Sequence, residues 1–154
     1  MERLIIKAKA LEHFSDDLSL PRYETVGSAG ADISACLGAG NEMKILPGQR
    51  ALVPTGLCFE IPRGYEIQVR PRSGLSLKTG LLVVNSPGTI DSDYRGELKV
   101  ILGNFGENEE IIHHGDRIAQ LVVAPVVWGL FEKSQGLTKT KRAEGGFGST
   151  GLEI

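Results

Sequence analysis

From Pro21 onward, glycine or proline recurs every few residues, and this punctuation limits what the chain can become. The twenty glycines and seven prolines are spread along the sequence rather than gathered in one low-complexity stretch. Spread this way they interrupt any long helix and close one short extended segment after another. Between the breaks, apolar residues tend to alternate with polar ones. Tyr65, Ile67 and Val69 fall on one face and Glu66, Gln68 and Arg70 on the other, the period of a half-buried strand. Strands are predicted over residues 3–11, from Ile33, over 50–54 and 57–61 around Thr55-Gly56, and over 65–70. Further strands are predicted over 109–112, 117–124 and 126–131. Residues 72–79 are the only stretch that reads as a helical turn or two.

The centre of the chain is residues 85–97, Asn-Ser-Pro-Gly-Thr-Ile-Asp-Ser-Asp-Tyr-Arg-Gly-Glu. Apolar runs on both sides predict a β-hairpin broken at Pro87-Gly88. Read as a strand, this stretch would put Asp91 and Asp93 on one face and Tyr94 on the other.

The chain's 154 residues suffice for one domain with a proper core. A formal charge of −2 supplies no positive field for nucleic acid. No apolar run approaches the roughly 20 residues needed to cross a bilayer. The first ten residues have no long apolar run and no processing site, so a first strand is expected there. Cys36 and Cys58 lack C-x-x-C spacing and read as free thiols of a cytoplasmic protein. From Ser134 apolar residues thin out. The expectation is one all-β domain, a jelly-roll-like barrel or sandwich over residues 1–133, followed by a flexible arm over 134–154.

Several motifs fail when their chemistry is spelled out. Residues 146–151 match G-x-G-x-x-G, but a dinucleotide fingerprint needs a strand before it and a helix after it. A calcium loop starting at Asp91 would have Arg95 at its fifth position and Leu102 at its twelfth. His113 and His114 have no partners at metal-ligand spacing. No Ser-His-Asp or Cys-His arrangement stands out, so a carboxylate base acting on water is expected. The tail glycines, with Ser149, Thr150, Lys139, Lys141 and Arg142, suit a phosphate chain. Phe147 adds an aromatic ring, which in a glycine tail needs something to stack on. Arg72 and Ser73 open the predicted helical turn, where free N–H groups attract anions.

Five segments in order sharpen this picture. They are Ala29-Gly-Ala-Asp32-Ile, Pro71-Arg72-Ser73-Gly74-Leu, Gly88-Thr-Ile-Asp91-Ser-Asp-Tyr94-Arg-Gly96, Gly115-Asp-Arg-Ile-Ala-Gln120-Leu and Arg142-Ala-Glu-Gly-Gly-Phe147-Gly-Ser-Thr-Gly151. Together they resemble the five motifs of the trimeric dUTPases, deoxyuridine 5′-triphosphate nucleotidohydrolases. The resemblance implies a β-clip jelly-roll subunit, a homotrimer with shared active sites, and Mg²⁺-dependent hydrolysis of dUTP to dUMP and pyrophosphate. The charge and the lack of a long apolar run already set the expectation of no membrane and no direct nucleic-acid binding. By the same resemblance Asp91 is the general base, and Asp32 holds water around a Mg²⁺ carried mainly by substrate phosphates. Arg72, Ser73 and Gln120 bind phosphate oxygens. Asn85 and the backbone near Gly88, Ile90 and Lys99 read the uracil, and Tyr94 packs under the deoxyribose. Phe147 stacks on the base while Arg142, Ser149 and Thr150 close over the β- and γ-phosphates. Gly74, Thr89 and Gly148 complete the substrate-binding set. Two departures stand out: Ala143-Glu144 follows the arm's arginine where the family commonly has glycine, and Ser86-Pro87 stiffens the central turn.

Overall fold

The computed structural model of the chain describes residues 4–146. In order, the described residues form β1 (Lys7–Ala10), β2 (Ala31–Ser34), β3 (Glu42–Ile45), β4 (Arg50–Glu60) and β5 (Tyr65–Arg70). Helix α1 (Ser73–Lys78) follows, then β6 (Leu81–Val83), β7 (Gly88–Ile90), β8 (Glu97–Asn104), β9 (Glu110–His113) and β10 (Arg117–Pro125). One four-stranded sheet runs β1-β4-β8-β6, the other β2-β10-β5-β7, and β3 pairs with β9 as a separate ribbon. All the pairings are antiparallel. This is the jelly-roll-like β architecture that the punctuation predicted.

One core joins the layers. Val53, Leu57 and Phe59 of β4 and Leu98, Val100 and Leu102 of β8 meet Ile67 and Val69 of β5 and Ile118 and Leu121 of β10. Ile45 and Ile112 bring the ribbon into the same cluster. Each such side chain, fully buried, contributes on the order of 1.5–3 kcal/mol relative to exposure. The inward faces match the alternation: Ile67 and Val69 are buried, while Gln68 is half-buried and Arg70 exposed. Helix α1 falls where expected, with Leu75 packed against the core. Among the described residues no helix is long and apolar enough to cross a membrane.

The structure revises four local expectations. The two segments around Thr55-Gly56 are one strand, β4, with a register shift between Pro54 and Cys58. Strand β3 was not expected: Glu42-Met43-Lys44-Ile45 does alternate, but over only four residues between Gly40 and Pro47. The central stretch is more than a hairpin. Strands β6 and β8 do pair, but β7 between them crosses to the other sheet and pairs with β5. Residues 91–95 form a turn and not a strand: the Tyr94 N–H donates to Asp91 O at 3.2 Å. The Arg95 Nη1 donates to Ser92 O at 2.7 Å and Tyr94 O at 2.9 Å. Asp-Ser-Asp is turn chemistry, and it overrides the period-2 reading.

The fourth revision is the predicted strand over residues 126–131. Pro125 ends β10, and after the Val126 N–H bond to Gly64 O at 2.9 Å the segment belongs to no strand. Val127, Trp128, Leu130 and Phe131 are 92%, 81%, 87% and 97% exposed. The apolar run Val-Val-Trp-Gly-Leu-Phe is present, but among the described residues it pairs with no strand.

Candidate active site

Two groups of predicted residues lie at opposite ends of the sheet β2-β10-β5-β7. At one end Asp32 on β2, Gln120 on β10 and Arg70 on β5 share a row. Arg72 follows β5 and caps the start of α1, so the strand end and helix start aim its guanidinium back across the sheet. Its Nε donates to Asp32 Oδ1 at 2.9 Å and its Nη1 to the Arg117 carbonyl at 3.2 Å. The Arg117 Nη1 takes the other oxygen, Asp32 Oδ2, at 3.1 Å. Side-chain exposures of 13% for Asp32 and 25% for Arg72 place this pair largely out of water. Gln120 Nε2 donates to Pro71 O at 2.8 Å, tying β10 to the residue before Arg72. Gly30 is needed for that approach, since a Cβ there would collide with Gln120 Oε1 and stand 3.0 Å from its Cδ. Ser73 and Gly74 lie exposed at the first turn of α1.

A small recess of about 290 Å³ borders this cluster, lined in part by Arg22, Glu24, Asp32 and Arg117. Above all, the Arg22 hydrogen bond holds the Glu24 carboxyl below the ordinary carboxylate range. Desolvation opposes it, and the charges of Arg22, Arg117 and Arg72 add to the lowering. Arg117 was missed as a site residue. Its signal is its place in the Gly115–Gln120 motif, three residues before the glutamine.

Asp91 is at the other end. It is exposed, one residue past the Ile90–Ile67 pair, and borders a groove of about 760 Å³ lined in part by Arg63, Glu66, Asp93, Arg95 and Trp128. The Arg63 guanidinium lies 5.6 Å from the centroid of the Trp128 ring. From Asp91 to the row of Asp32 is four residues, about 13 Å along the strands, and three strand spacings, about 14 Å, across them. Within one chain the backbones of the two aspartates are therefore about 19 Å apart by these spacings. On the β6–β8 side, the Val84 N–H donates to Ile101 O at 3.0 Å, which brings Asn85 alongside the strand carrying Lys99. The Asn85 Nδ2 comes within 3.2 Å of where a Cβ on Gly88 would stand, so amide and backbone line one small space. Thr89 is exposed opposite Gln68, and Ile90 packs on the core. Tyr94 is 46% exposed, and its hydroxyl donates to Glu97 O at 3.1 Å.

The arm residue Arg142 does not reach either group; its Nε donates to Gly145 O at 2.8 Å within its own turn. Phe147, Gly148, Ser149 and Thr150 lie outside the described residues. Asp116, expected to support a turn, does so: its Oδ2 accepts the His113 N–H at 2.7 Å. Among the described residues no three His, Cys, Asp or Glu side chains gather as a metal cage.

The fold is a β-clip of two sheets, with an arginine–aspartate cluster at one end and an exposed aspartate turn at the other. The dUTPase family model matches residues 16–151, and the chain belongs to that family. A deoxyuridine 5′-triphosphate nucleotidohydrolase of Brucella melitensis is 55% identical over 141 residues, 92% of this chain and 89% of the relative. Its counterpart in Bdellovibrio bacteriovorus is 52% identical over 151 residues, 98% of this chain and 99% of the relative. The dUTPase of Staphylococcus bacteriophage 80alpha, solved as a G164S mutant with dUpNHpp, superposes with a TM-score of 0.83 at 26% identity, covering 96% of this chain and 99% of the phage chain.

Proposed function

We propose that this member of the dUTPase family hydrolyses dUTP to dUMP and pyrophosphate, keeping uracil out of DNA and supplying dUMP for thymidylate synthesis. The observation that carries the reading is the bracketed guanidinium of Arg72. Asp32 and the Arg117 carbonyl occupy Nε and one Nη1 hydrogen. The remaining donors of the fork can face a phosphate beside the Ser73 hydroxyl. Gln120 adds an amide on the same side. These groups hold the triphosphate so that its α-phosphorus is open to in-line attack.

Asp91 accepts a proton from water as the water oxygen bonds to the α-phosphorus. The bond from that phosphorus to the α,β-bridging oxygen breaks, and pyrophosphate leaves with the bond's electrons. Asn85 and the backbone around Gly88, Thr89, Ile90 and Lys99 read the uracil edge. A site built to pair with the 4-carbonyl rejects cytosine, because its own polar groups would be left unpaired. Tyr94 packs under the sugar. The arm over residues 134–154 closes on the substrate, with Phe147 on the base and Arg142, Gly148, Ser149 and Thr150 at the β- and γ-phosphates.

The donor set fits magnesium held mainly by the substrate. A carboxylate has about four lone-pair sites, and guanidinium bonds occupy two on Asp32, leaving sites to accept water in the ion's shell. When bound, Mg²⁺ would neutralise charge on the triphosphate chain.

The assembly we propose is a homotrimer whose sites combine the Arg72 end of one subunit with the Asp91 end of another. The separation of the two ends within a chain supports it. So do two apolar surfaces: residues 126–131, and the outer face of β4-β8-β6, where Leu52, Leu82, Val84 and Phe105 are exposed. Both cysteines are free, in keeping with the cytoplasm.

Measuring products from dUTP and the four ordinary deoxynucleoside triphosphates tests the reading. Pyrophosphate and dUMP from dUTP alone, abolished in Asp91→Asn, is the expected result. Ammonia from dCTP, or full activity in Asp91→Asn, would overturn it.

A further inference from the structure

Glu97 is a charged group inside the fold that the mechanism above does not use. Its side chain is only 11% exposed. Its Oε1 accepts the Gly56 N–H at 2.8 Å and bonds His13 Nε2 at 2.9 Å. Its Oε2 lies 3.3 Å from Lys99 Nζ. Its main-chain oxygen, in turn, accepts the Tyr94 hydroxyl at 3.1 Å. One residue thus binds three separate parts of the chain through its carboxylate and the sugar platform through its backbone.

The sheet itself shows why such a tie is needed. Strands β4 and β8 pair regularly from Arg50–Gly103 to Pro54–Lys99, then the register shifts before Cys58 pairs with Glu97. A register shift interrupts the ladder and leaves backbone groups for other partners. Here side chains fill the gap: Glu97 takes the Gly56 N–H, and the Thr55 hydroxyl donates to Leu98 O at 2.6 Å. The start of β8 therefore depends on the Glu97 carboxylate for its position against β4. Tyr94 depends on that start twice. Its hydroxyl hangs on Glu97 O, and its ring lies so close over Gly96 that a Cβ there would meet Cζ at 2.6 Å and the hydroxyl closer still.

We propose that Glu97 is a positioning residue for sugar selection, holding the Tyr94 ring at the height where a deoxyribose fits and a 2′-hydroxyl clashes. The proposal rests on the reading of Tyr94 as the sugar platform. It assigns to the residue after Gly96 a part in choosing dUTP over UTP.

The test compares kcat/KM for dUTP and UTP in the full-length protein and in Glu97→Ala, Glu97→Gln and Tyr94→Ala, with Tm and assembly mass recorded for each. Glu97→Ala is expected to lower the dUTP-over-UTP ratio by about tenfold, while kcat on dUTP falls by less than about threefold. Glu97→Gln keeps an acceptor for the Gly56 N–H and should lose only about threefold in the ratio. If Glu97→Ala does not fold, Glu97→Gln and His13→Ala carry the test with the same roughly threefold expectation. A ratio unchanged in folded variants, or a fall in kcat with the ratio intact, overturns the proposal. Tyr94→Ala separates the two levels. If it abolishes discrimination while Glu97→Ala preserves it, only the role of Glu97 fails. If Tyr94→Ala itself preserves discrimination, the sugar role of Tyr94 fails and the role of Glu97 with it.

Discussion

The two ends of the sheet β2-β10-β5-β7 are built differently. At the Asp32 end, charges are paired and largely shielded before any ligand arrives: Arg72 and Arg117 each hold one oxygen of Asp32. At the other end, Asp91 is exposed on a turn braced by Arg95, and Tyr94 has one face open. The first end completes its charge pairs within one chain. The second leaves an acid and an aromatic ring open to solvent. In the proposed trimer each site would join one such end to the other, which makes the two ends separable by mutation.

The largest effect should come from breaking each end separately. Asp91→Asn should lower kcat by about 10²–10⁴-fold, the range of a general base. Arg72→Ala should lower kcat/KM on dUTP by a similar factor, through lost phosphate contacts. Trimers reassembled from a mixture of the two variants should regain activity, because some sites would join an intact Asp91 end to an intact Arg72 end. No recovery in a mixture of confirmed mixed trimers would mean that both ends act within one chain.

Next in size is the cradle itself. Asp32→Asn leaves two guanidinium groups facing a neutral amide, and the pair is mostly but not fully buried. We expect a loss of about 2 kcal/mol in stability and on the order of tenfold or more in kcat/KM. Denaturant melts and steady-state kinetics on the same preparation check this. Equal stability would show that the cradle is no more strongly held than the open end.

The open end has a pH signature. Burial pushes the Glu97 carboxyl up, but the bonds from His13, the Gly56 N–H and Lys99 outweigh it, and the carboxyl lies below the ordinary range. A carboxyl whose folded value is depressed adds stability above its unfolded value, near 4.3, and loses it as pH falls through the folded value. The Tm gap between the native protein and Glu97→Gln should thus be steady from neutral pH to about 5 and shrink on further acidification, with a stability difference of about 1 kcal/mol at neutrality. A gap that widens in acid would contradict the sign.

The smallest effect is expected in the arm. Ala143, standing where the family commonly has glycine, has φ of 45°, in the left-handed region. A Cβ there costs roughly 1 kcal/mol relative to glycine. Ala143→Gly should relieve that strain and lower KM for dUTP by up to about fivefold, the ceiling set by ~1 kcal/mol. A rise in KM would show that the arm gains more from a stiff turn than it loses in strain.

Much of this was legible in the residues. The alternation at 65–70 predicted β5 with its faces correctly assigned, and the Arg72-Ser73 segment predicted the only helix among the described residues. Local patterns of this kind depend on residues a few positions apart, so a linear reading reaches them. The expected strand at 126–131 is an apolar run with no pairing partner among the described residues, because an apolar run reports a surface to be covered and not what covers it. The strand reading of residues 91–95 failed where turn-forming side chains bonded their own backbone.

The sequence by itself determined the class of fold, through glycine and proline spacing and strand periodicity, and it determined the family, through five segments in a fixed order. Only the tertiary structure decided which of those segments meet. Arg117 joined Asp32 across β10 and β2, Glu97 took the Gly56 N–H at a register shift, and Asp91 was carried to the far end of the sheet from Arg72. Strand order and register are set by pairings between residues far apart in the chain, and one residue of slip would turn every side chain to the other face. A linear pattern records which groups a site has, while the pairing of distant strands decides where each one stands.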